Sequence, residues 1–247
     1  MNCKFLTYFA AIVIITFPLR VWGANYAVGV YGGFAPSLGG DLNTAQHYSE
    51  FQSSNGIDGM NRELDGYSTG RIDRILGVTG GGLFKAIFHD YYQVRMALNY
   101  TMGYFGGSGK TVFDDGGTTR LLECEYTFRE LDVPVTFGIS IPFWKDIRIA
   151  FSCGLAYAYG DYSYSFEADN GQQWKGSFKG WGLPLVIILE GEYFITDRVA
   201  ASTAIVYYKG STKVLKDGSD TGGTDFARID FSGYRYNLGV TFYFRSI

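Results

Sequence analysis

The sequence predicts an all-β protein, an eight-stranded antiparallel up-and-down β-barrel. Large apolar side chains recur at every second residue in long runs, and no segment after residue 24 keeps a 3.6-residue apolar period. Short and long connections also alternate along the chain. A period of two is that of a strand whose faces meet different surroundings. Alternating connections are what an up-and-down meander gives when its two rims differ.

The first 23 residues differ from the rest and predict a signal peptide. Lys4 precedes a charge-free apolar run over residues 5–19, and Gly23 suits the small-residue position before a cleavage site. This run is too short to span a bilayer, which needs about 20 apolar residues, and it fits a secretory signal. An N-terminal anchor helix is the alternative. We therefore divide the chain into a signal peptide, 1–23, and a barrel domain, 24–247.

Charge and cysteine content narrow the class of protein. The 247-residue chain has 21 Lys and Arg against 24 Asp and Glu, a formal net charge of −3, with no run of like charges. No nucleic-acid surface is expected from this pattern. Cys3 lies in the predicted signal peptide. Cys124 and Cys153 fall at different heights on neighbouring predicted strands, so we expect two unpaired thiols.

Eight runs of period two define the strands in order. Their predicted bounds are 25–35, 70–88, 91–104, 120–141, 147–166, 178–194, 198–208 and 226–244. The first carries Tyr, Val and Phe on one face, and the second contains three consecutive glycines, which let a strand bend or pack closely. The third alternates most strictly, with Arg95 and Asn99 between large apolar residues. In the fourth, the apolar phase moves by one residue near Glu130, which predicts a β-bulge.

The last four strands show the same contrast between faces. The fifth sets large apolar residues against Ala, Ser and Gly, and the sixth places Glu190 and Glu192 opposite leucines and isoleucine. The seventh lies between a short turn and a long connection. The eighth ends with alternating aromatic and aliphatic residues from Tyr234 to Phe244.

The connections predict two different rims. The short turns are at 89–90, 142–146 and 195–197, and the long polar loops are 36–69, 106–119, 167–177 and 209–225. Seven connections join eight strands, and both chain ends fall on the short-turn rim. An even strand number with this alternation is typical of barrels that cross a membrane.

The bulk of the apolar face indicates that it points outward. A soluble barrel such as a lipocalin would turn this face inward around a ligand, but an eight-stranded interior is barely wide enough for its own side chains. Most strands here offer five to seven bulky residues, whereas their other face is small or charged. The strands also reach the roughly 9–11 residues that a tilted membrane strand needs. The predicted fold is therefore a transmembrane β-barrel with four long loops on one rim and three short turns on the other.

The C-terminal residues carry a resemblance. Asn237, Gly239, Phe242 and Phe244 match the assembly signal of bacterial outer-membrane barrels, a polar residue, a glycine, an apolar residue and an aromatic residue at set spacings. That signal usually ends at the aromatic residue, whereas three residues follow it here. Residues 129–139 also resemble a strand common in such barrels. The chain from residue 24 onward resembles the eight-stranded outer-membrane barrels of the OmpA-domain, OmpX, OmpW and opacity type.

Charged residues on the small face form the candidate site. The residues predicted to face the lumen are Arg95, Glu123, Glu125, Arg129, Glu190, Glu192 and Arg235. In so narrow a barrel we interpret them as a plug of paired charges. An ion path or gate is the alternative, and it needs a wider or bent barrel.

Other motifs do not indicate chemistry. Residues 106–111 read GGSGKT, but the first glycine of a phosphate-binding loop is missing and no helix follows. His47, Ser49 and Glu50 lie in the first long loop, where no base-and-nucleophile geometry can be claimed. The loop acids Asp217, Asp220 and Asp225 miss the calcium-loop spacing. We therefore expect no enzyme, no cofactor and no metal.

The sequence thus predicts an integral protein of the bacterial outer membrane with a structural or adhesive role. Its expected partners are outer-membrane lipid, the barrel assembly machinery and an extracellular partner bound by the long loops. A narrow OmpW-like conduit for small hydrophobic molecules or ions is the alternative function. A soluble ligand-binding barrel is a third class, and it would stay monomeric without detergent.

Overall fold

The computed structural model describes residues 24–36, 76–105, 107–115, 118–171, 173–213, 215–216, 226–227 and 229–245. The strands are β1 (Asn25–Ala35), β2 (Leu76–Phe88), β3 (Tyr92–Phe105), β4 (Ser108–Asp115), β5 (Thr118–Trp144), β6 (Ile147–Ala168), β7 (Gln173–Gly182), β8 (Leu185–Thr196), β9 (Val199–Lys209), β10 (Leu215–Lys216), β11 (Phe226–Ala227) and β12 (Gly233–Tyr243). Over these ranges, no helix is long and apolar enough to cross a bilayer. The predicted signal peptide lies outside the described residues.

Eight of these strands close a barrel. The neighbours in order are β1, β2, β3, β5, β6, β8, β9 and β12, and β12 pairs with β1 to complete the circle. Every pairing is antiparallel. Closure leaves these eight strands without an open edge at the level of the barrel, as a spanning sheet requires. The predicted fold class is confirmed.

Tight turns form one rim of the barrel, called here the short-turn rim. Between β2 and β3 the chain turns at His89 and Asp90, whose φ angles are 49° and 62°. Two residues in the left-handed region make the kind of turn whose twist suits a two-residue hairpin. Tyr91 N donates to Phe88 O at 3.1 Å beside this turn. The other short turns join β5 to β6 and β8 to β9.

The barrel wall turns its large apolar side chains outward. Val30 is 69% exposed and Leu238 is 71% exposed, whereas Ala27, on the other face of β1, is fully buried. The inner face carries small side chains because the wall is tightly packed. At Gly138, a Cβ would lie 2.0 Å from the Phe151 oxygen and 2.5 Å from the Ser152 Cβ. Only glycine therefore lets Ser152 lean across β5 into the lumen at this point.

The predicted β-bulge near Glu130 is wrong. β5 runs without a register shift from Leu122 to Pro142 against β6, and its even-numbered residues from Cys124 to Ser140 stay on the inner face. The polarity of the two faces changes instead. Between the short-turn rim and Leu131, the outer face of β5 is apolar. Farther from that rim, from Arg129 to Glu123, the outer face is polar and the apolar residues lie on the inner face. The strand leaves the bilayer at this level, so the apolar face is no longer the one that faces out.

β5 and β6 extend far beyond the barrel. β5 has 27 residues and β6 has 22, whereas a tilted membrane strand needs roughly 9–11. The ends of β5 and β6 pair with each other and with β4 and β7 on either side. We call this four-stranded projection the arm: β4, residues 118–130 of β5, residues 160–168 of β6, and β7. At about 3.3 Å per residue, its longest strand adds roughly 40 Å.

The arm corrects two predicted loops. Residues 108–115 and 118–119, placed in the loop 106–119, are strand, as are most residues of the predicted loop 167–177. Polar composition suggested loops, but on an exposed sheet outside the membrane polar residues belong on strands too. The predicted loop 36–69 lies outside the described residues except at residue 36, and most of 209–225 does as well. His47, Ser49, Glu50, Asp217, Asp220 and Asp225 fall in those parts.

Candidate functional site

The barrel interior holds two clusters of paired charges, one above the other. The lower cluster, near the short-turn rim, centres on Lys85 of β2. Its Nζ lies 2.8 Å from Oε1 of Glu190 and 2.8 Å from Oε1 of Glu192, both on β8 across the lumen. The Tyr243 hydroxyl donates to the second Glu192 oxygen at 2.5 Å. Lys85 is fully buried, so these contacts replace the water that its charge loses.

The upper cluster centres on Arg235 of β12. One guanidinium nitrogen donates to Glu130 at 2.6 Å, and the other donates to Asp132 at 2.7 Å. That second nitrogen also reaches the Thr101 hydroxyl at 3.3 Å. The guanidinium carbon lies 3.8 Å from the ring centre of Tyr208, within cation–π distance. A planar guanidinium that donates to carboxylates through two of its nitrogens is the arrangement in which arginine pairs most strongly.

Neutral side chains complete the upper cluster. Asp132 accepts from the Tyr208 hydroxyl at 2.8 Å and from the Asn99 amide at 2.8 Å. Asn99 Nδ2 also lies 3.1 Å from the Tyr208 hydroxyl. The cluster therefore joins β3, β5, β9 and β12, four separate strands of the wall. Contacts of this kind cross the lumen at two levels.

The structure separates the seven charged residues predicted to line the lumen. Arg95, Glu190, Glu192 and Arg235 are buried inside the barrel. Glu123, Glu125 and Arg129 lie on the exposed outer face of the arm, because β5 keeps its phase past Glu130. Those three assignments are therefore corrected: the odd-numbered positions of β5 face outward from Glu123 to Ile141.

Sequence reasoning missed several residues of the interior. Lys85, Glu130, Asp132, Arg148, Tyr208 and Tyr243 are all buried on the inner face. A strict period of two through β5 would have placed Glu130 and Asp132 inside, in register with Thr136. Lys85 pairs with Glu192, and Glu130 pairs with Arg235; in each pair the two residues are more than 100 positions apart in the sequence. No local pattern predicts such pairs.

The arm has an apolar inner face above these clusters. Its buried side chains include Tyr126, Phe128, Tyr162, Tyr164, Phe166 and Phe178. Tyr162 stacks on Phe178 with ring centres 5.6 Å apart. Burial raises the pKa of the Cys124 thiol, on the same face, to about 12. The two cysteines of the described chain are free thiols, as the sequence predicts, with Cys153 exposed on the outer wall.

A short segment just before β12, called here the cap, packs on the inner face of the sheet where the arm meets the barrel. Ile229 and Phe231 are buried, and they pack directly on the wall at Gly160 and Gly182. A Cβ at Gly160 would lie 2.8 Å from Ile229, and one at Gly182 would lie 2.9 Å from Phe231. Phe231 N donates to Gly210 O at 2.9 Å, which ties this cap to the end of β9.

The residues of the predicted assembly signal lie on β12 and just after it. Asn237 is buried and Gly239 also faces inward, while Phe242 and Phe244 are exposed at 41% and 50%. The two phenylalanine rings meet edge to face at 5.8 Å. A Cβ on Gly239 would lie 2.5 Å from Val30 O, so this position requires glycine where β12 joins β1. The motif therefore sits on the seam that closes the barrel.

The closed wall, the apolar outer belt and the ion-paired interior define the class. This is a transmembrane β-barrel, and its place is the bacterial outer membrane. In such a barrel the backbone hydrogen-bonding groups pair within the wall, and the apolar outer side chains are in contact with lipid.

Comparisons with known proteins concern the fold. The chain is similar to OprG of Pseudomonas aeruginosa, with 12% identity over 91% of this chain and 97% of that one and a TM-score of 0.47. It is similar to a major outer membrane protein of Thermus thermophilus, with 11% identity, 90% and 99% coverage and a TM-score of 0.46. It is also similar to Ail, the attachment invasion locus protein of Yersinia pestis, with 11% identity, 90% and 99% coverage and a TM-score of 0.39. No family model and no curated protein matches the sequence.

Proposed function

We propose that this protein is a surface-presenting barrel without an open pore, and that its arm carries an interaction surface. The observation that carries the proposal is the reversal of polarity along β5. From Arg129 toward Glu123, away from the short-turn rim, the outer face of β5 is polar and its inner face is apolar. A sheet built in this way is suited to water, not to lipid. The proposed role is binding, not catalysis.

The outer face of the arm has the character of a recognition surface. It exposes charges of both signs, and two ion pairs between described residues join some of them. Lys110 bonds to Glu123, and Lys179 lies 3.3 Å from Asp161. Exposed ion pairs of this kind contribute little stability, so their charges remain open to a partner. Outer-membrane barrels keep their short turns in the periplasm and their longer connections outside, which supports an extracellular arm.

The paired clusters of the lumen support the absence of an open pore. Planar-bilayer conductance of the refolded protein tests this part of the proposal. We expect no steady single-channel current from the wild type at neutral pH. As a comparison, Arg235→Ala removes the side chain that spans the upper cluster and should produce brief openings if the cluster is the barrier. A steady wild-type current would refute the closed lumen.

Labelling of intact cells tests the arm. In a background with Cys124→Ala and Cys153→Ala, a membrane-impermeant maleimide should label Thr127→Cys but not Phe128→Cys. Thr127 is exposed, whereas the next residue, Phe128, is buried. Adhesion of the same cells to cultured epithelial cells and matrix proteins is then compared with that of a variant whose arm is replaced by two short turns. Equal adhesion by both forms would place any binding outside the arm.

We also propose that Asn237, Gly239, Phe242 and Phe244 serve recognition by the barrel assembly machinery. Their position at the closing seam supports this role, since β12 is the strand that pairs with β1 and completes the barrel. Phe244→Ser should reduce the amount of folded barrel in cells and leave refolding from urea into detergent unchanged. A loss of refolding in both settings would indicate a purely structural role.

A narrow conduit for small apolar molecules is the second candidate. The aromatic inner face of the arm favours it, because Tyr162, Phe178 and their neighbours form an apolar lining above the lumen. The discriminating measurement is quenching of a lipid-soluble fluorescent hydrocarbon by the refolded protein. Saturable binding that Phe178→Ser abolishes would favour the conduit. Its absence, together with arm-dependent adhesion, would favour the surface role.

A further inference from the structure

The lower half of the lumen contains a buried cation that forms no ion pair with the described residues. Arg95 of β3 is only 3% exposed. The ion pairs in the described lumen join Lys85 and Arg235 to carboxylates, and none of them includes Arg95. Its Nε has no hydrogen-bond partner. Its guanidinium carbon lies 5.8 Å from the ring centre of Tyr31, and this cation–π contact stabilises the positive charge less than a carboxylate would. A buried charge without a partner is strongly unfavourable.

Other orphaned polar groups lie beside Arg95 on the same wall. Thr136 is its direct cross-strand neighbour, and Gln93 is the next inward residue of β3. Both are buried, and the Thr136 hydroxyl and the Gln93 Nε2 have no partner. The hydroxyls of Ser140 and Ser152 are likewise buried and without a partner. Buried polar groups in proteins are nearly always satisfied, so a cluster of exceptions points to a bound ion or water.

Gly138 brings these groups together. It lies between Thr136 and Ser140 on the inner face of β5, and its missing side chain makes room for Ser152 from β6. The hydroxyls can donate, and the Gln93 amide and the Arg95 guanidinium do so obligatorily. Donors on the inner face of three neighbouring strands, with a cation among them, suit an anion.

Charge balance favours a monovalent anion. Among the described residues, the buried charges of the lower half are Lys85, Arg95 and Arg148 against Glu190 and Glu192, three cations against two carboxylates. The opposite surplus, at Glu130 and Asp132, is held by Arg235. Asp132 lies four residues along β5 from Thr136, and no ion pair between described residues joins it to Arg95. Glu190 has one free oxygen; its other oxygen is held by Lys85, the cross-strand neighbour of Arg95, and no ion pair between described residues joins Glu190 to Arg95.

We propose that Arg95, Gln93, Thr136 and Ser152 form a binding site for a halide, chloride under physiological conditions, inside the barrel. The guanidinium supplies the charge, and the amide and hydroxyl groups supply the hydrogen bonds. The site is independent of the surface role proposed above, because an anion bound in a closed lumen carries no current.

Bromide provides a direct test, since it replaces chloride and is visible by anomalous diffraction. Crystals of the refolded barrel soaked in bromide should show an anomalous peak within hydrogen-bond distance of the Arg95 guanidinium. Crystals of Arg95→Gln should lack that peak. A wild-type lumen with water only at this place would overturn the proposal, and this result does not depend on whether any variant folds.

Unfolding at constant ionic strength gives a second readout. Chloride is exchanged for gluconate, which is too large for the site, and urea unfolding is followed. At a chloride concentration one hundred times its Kd, the unfolding constant of the wild type should fall about a hundredfold. Arg95→Gln should lose this dependence, and Thr136→Val should weaken it. Arg148→Gln is the matched control, because it removes the same charge from the same half of the lumen and should keep the dependence. Equal loss in both arginine variants would indicate a general charge effect and refute the site.

Discussion

Replacing Arg235 by methionine isolates the energetic role of the upper cluster. The substitution keeps an apolar stem of similar length and removes the group that bonds Glu130 at 2.6 Å and Asp132 at 2.7 Å. Those two carboxylates are 1% and 0% exposed, so water cannot replace the lost partner. Breaking a buried ion pair on one side costs about 3–5 kcal/mol. The expected unfolding constant therefore rises about a hundredfold to a few thousandfold.

The assay is urea unfolding of the refolded barrel, read by tryptophan fluorescence and by the heat-dependent shift of the folded band in gel electrophoresis. Lys179→Ala is the surface control. It breaks the pair with Asp161, at 3.3 Å and with the lysine 56% exposed, and such pairs contribute about 0–1 kcal/mol. A triple variant, Arg235→Met with Glu130→Gln and Asp132→Asn, removes all three charges together. It should recover most of the lost stability, because no unpaired charge remains.

Two results would refute this reasoning. If Arg235→Met folds with less than about 1 kcal/mol of lost stability, the carboxylates are not held by Arg235 in the way the distances imply. If the triple variant is no more stable than the single one, the loss comes from packing over Tyr208 and not from unpaired charge.

Two further predictions concern the wall and the thiols. Gly239→Ala should reduce the yield of folded barrel and cost about 1–3 kcal/mol of stability, because the added Cβ would lie 2.5 Å from Val30 O. Gly191→Ala is the control and should fold like the wild type, since the nearest atom to its Cβ is 3.7 Å away. Equal yields of the two variants would contradict close packing where β12 joins β1. At pH 8 a water-soluble disulfide reagent should leave Cys124 unmodified until urea is added, since burial raises the pKa of this thiol to about 12 and leaves roughly one thiolate in ten thousand. A lipid-soluble maleimide should label the exposed Cys153 in the folded barrel. Rapid reaction of Cys124 before unfolding would show that the arm's inner face is open to solvent.

The fold could be predicted from the sequence because alternation and connection lengths are local properties. The predicted first strand has the observed bounds, Asn25–Ala35, and the fifth begins at Ile147 as predicted. The errors fall where the surroundings of a strand change. Near Glu130, the change of apolar phase was assigned to the backbone, whereas the strand passes from lipid into water and keeps its register. Periodicity reports a contrast between faces and does not say which face is outside.

The interior was predictable only in part for a related reason. Arg95 and Arg235 stand between large apolar residues, which marks the inner face at once. Lys85 lies in a glycine-rich strand with weaker alternation, and its bonds to Glu190 and Glu192 join residues about 100 positions apart. Such pairs depend on the stagger of the closed barrel, and this quantity is set by all eight strands together.

The depth of the barrel in the membrane follows from the same change of polarity. Arg129, Asp161 and Lys179 are cross-strand neighbours on β5, β6 and β7, and they form a charged row around the outer wall. The next outward residues toward the short-turn rim include Tyr159 and Trp181, which stand beside one another and are 42% and 55% exposed. Aromatic rings favour the membrane interface and charges favour water. The surface of the bilayer is therefore set between these two rows. Since β5 and β6 pair without interruption from the barrel into the arm, the arm and the spanning wall share one continuous sheet.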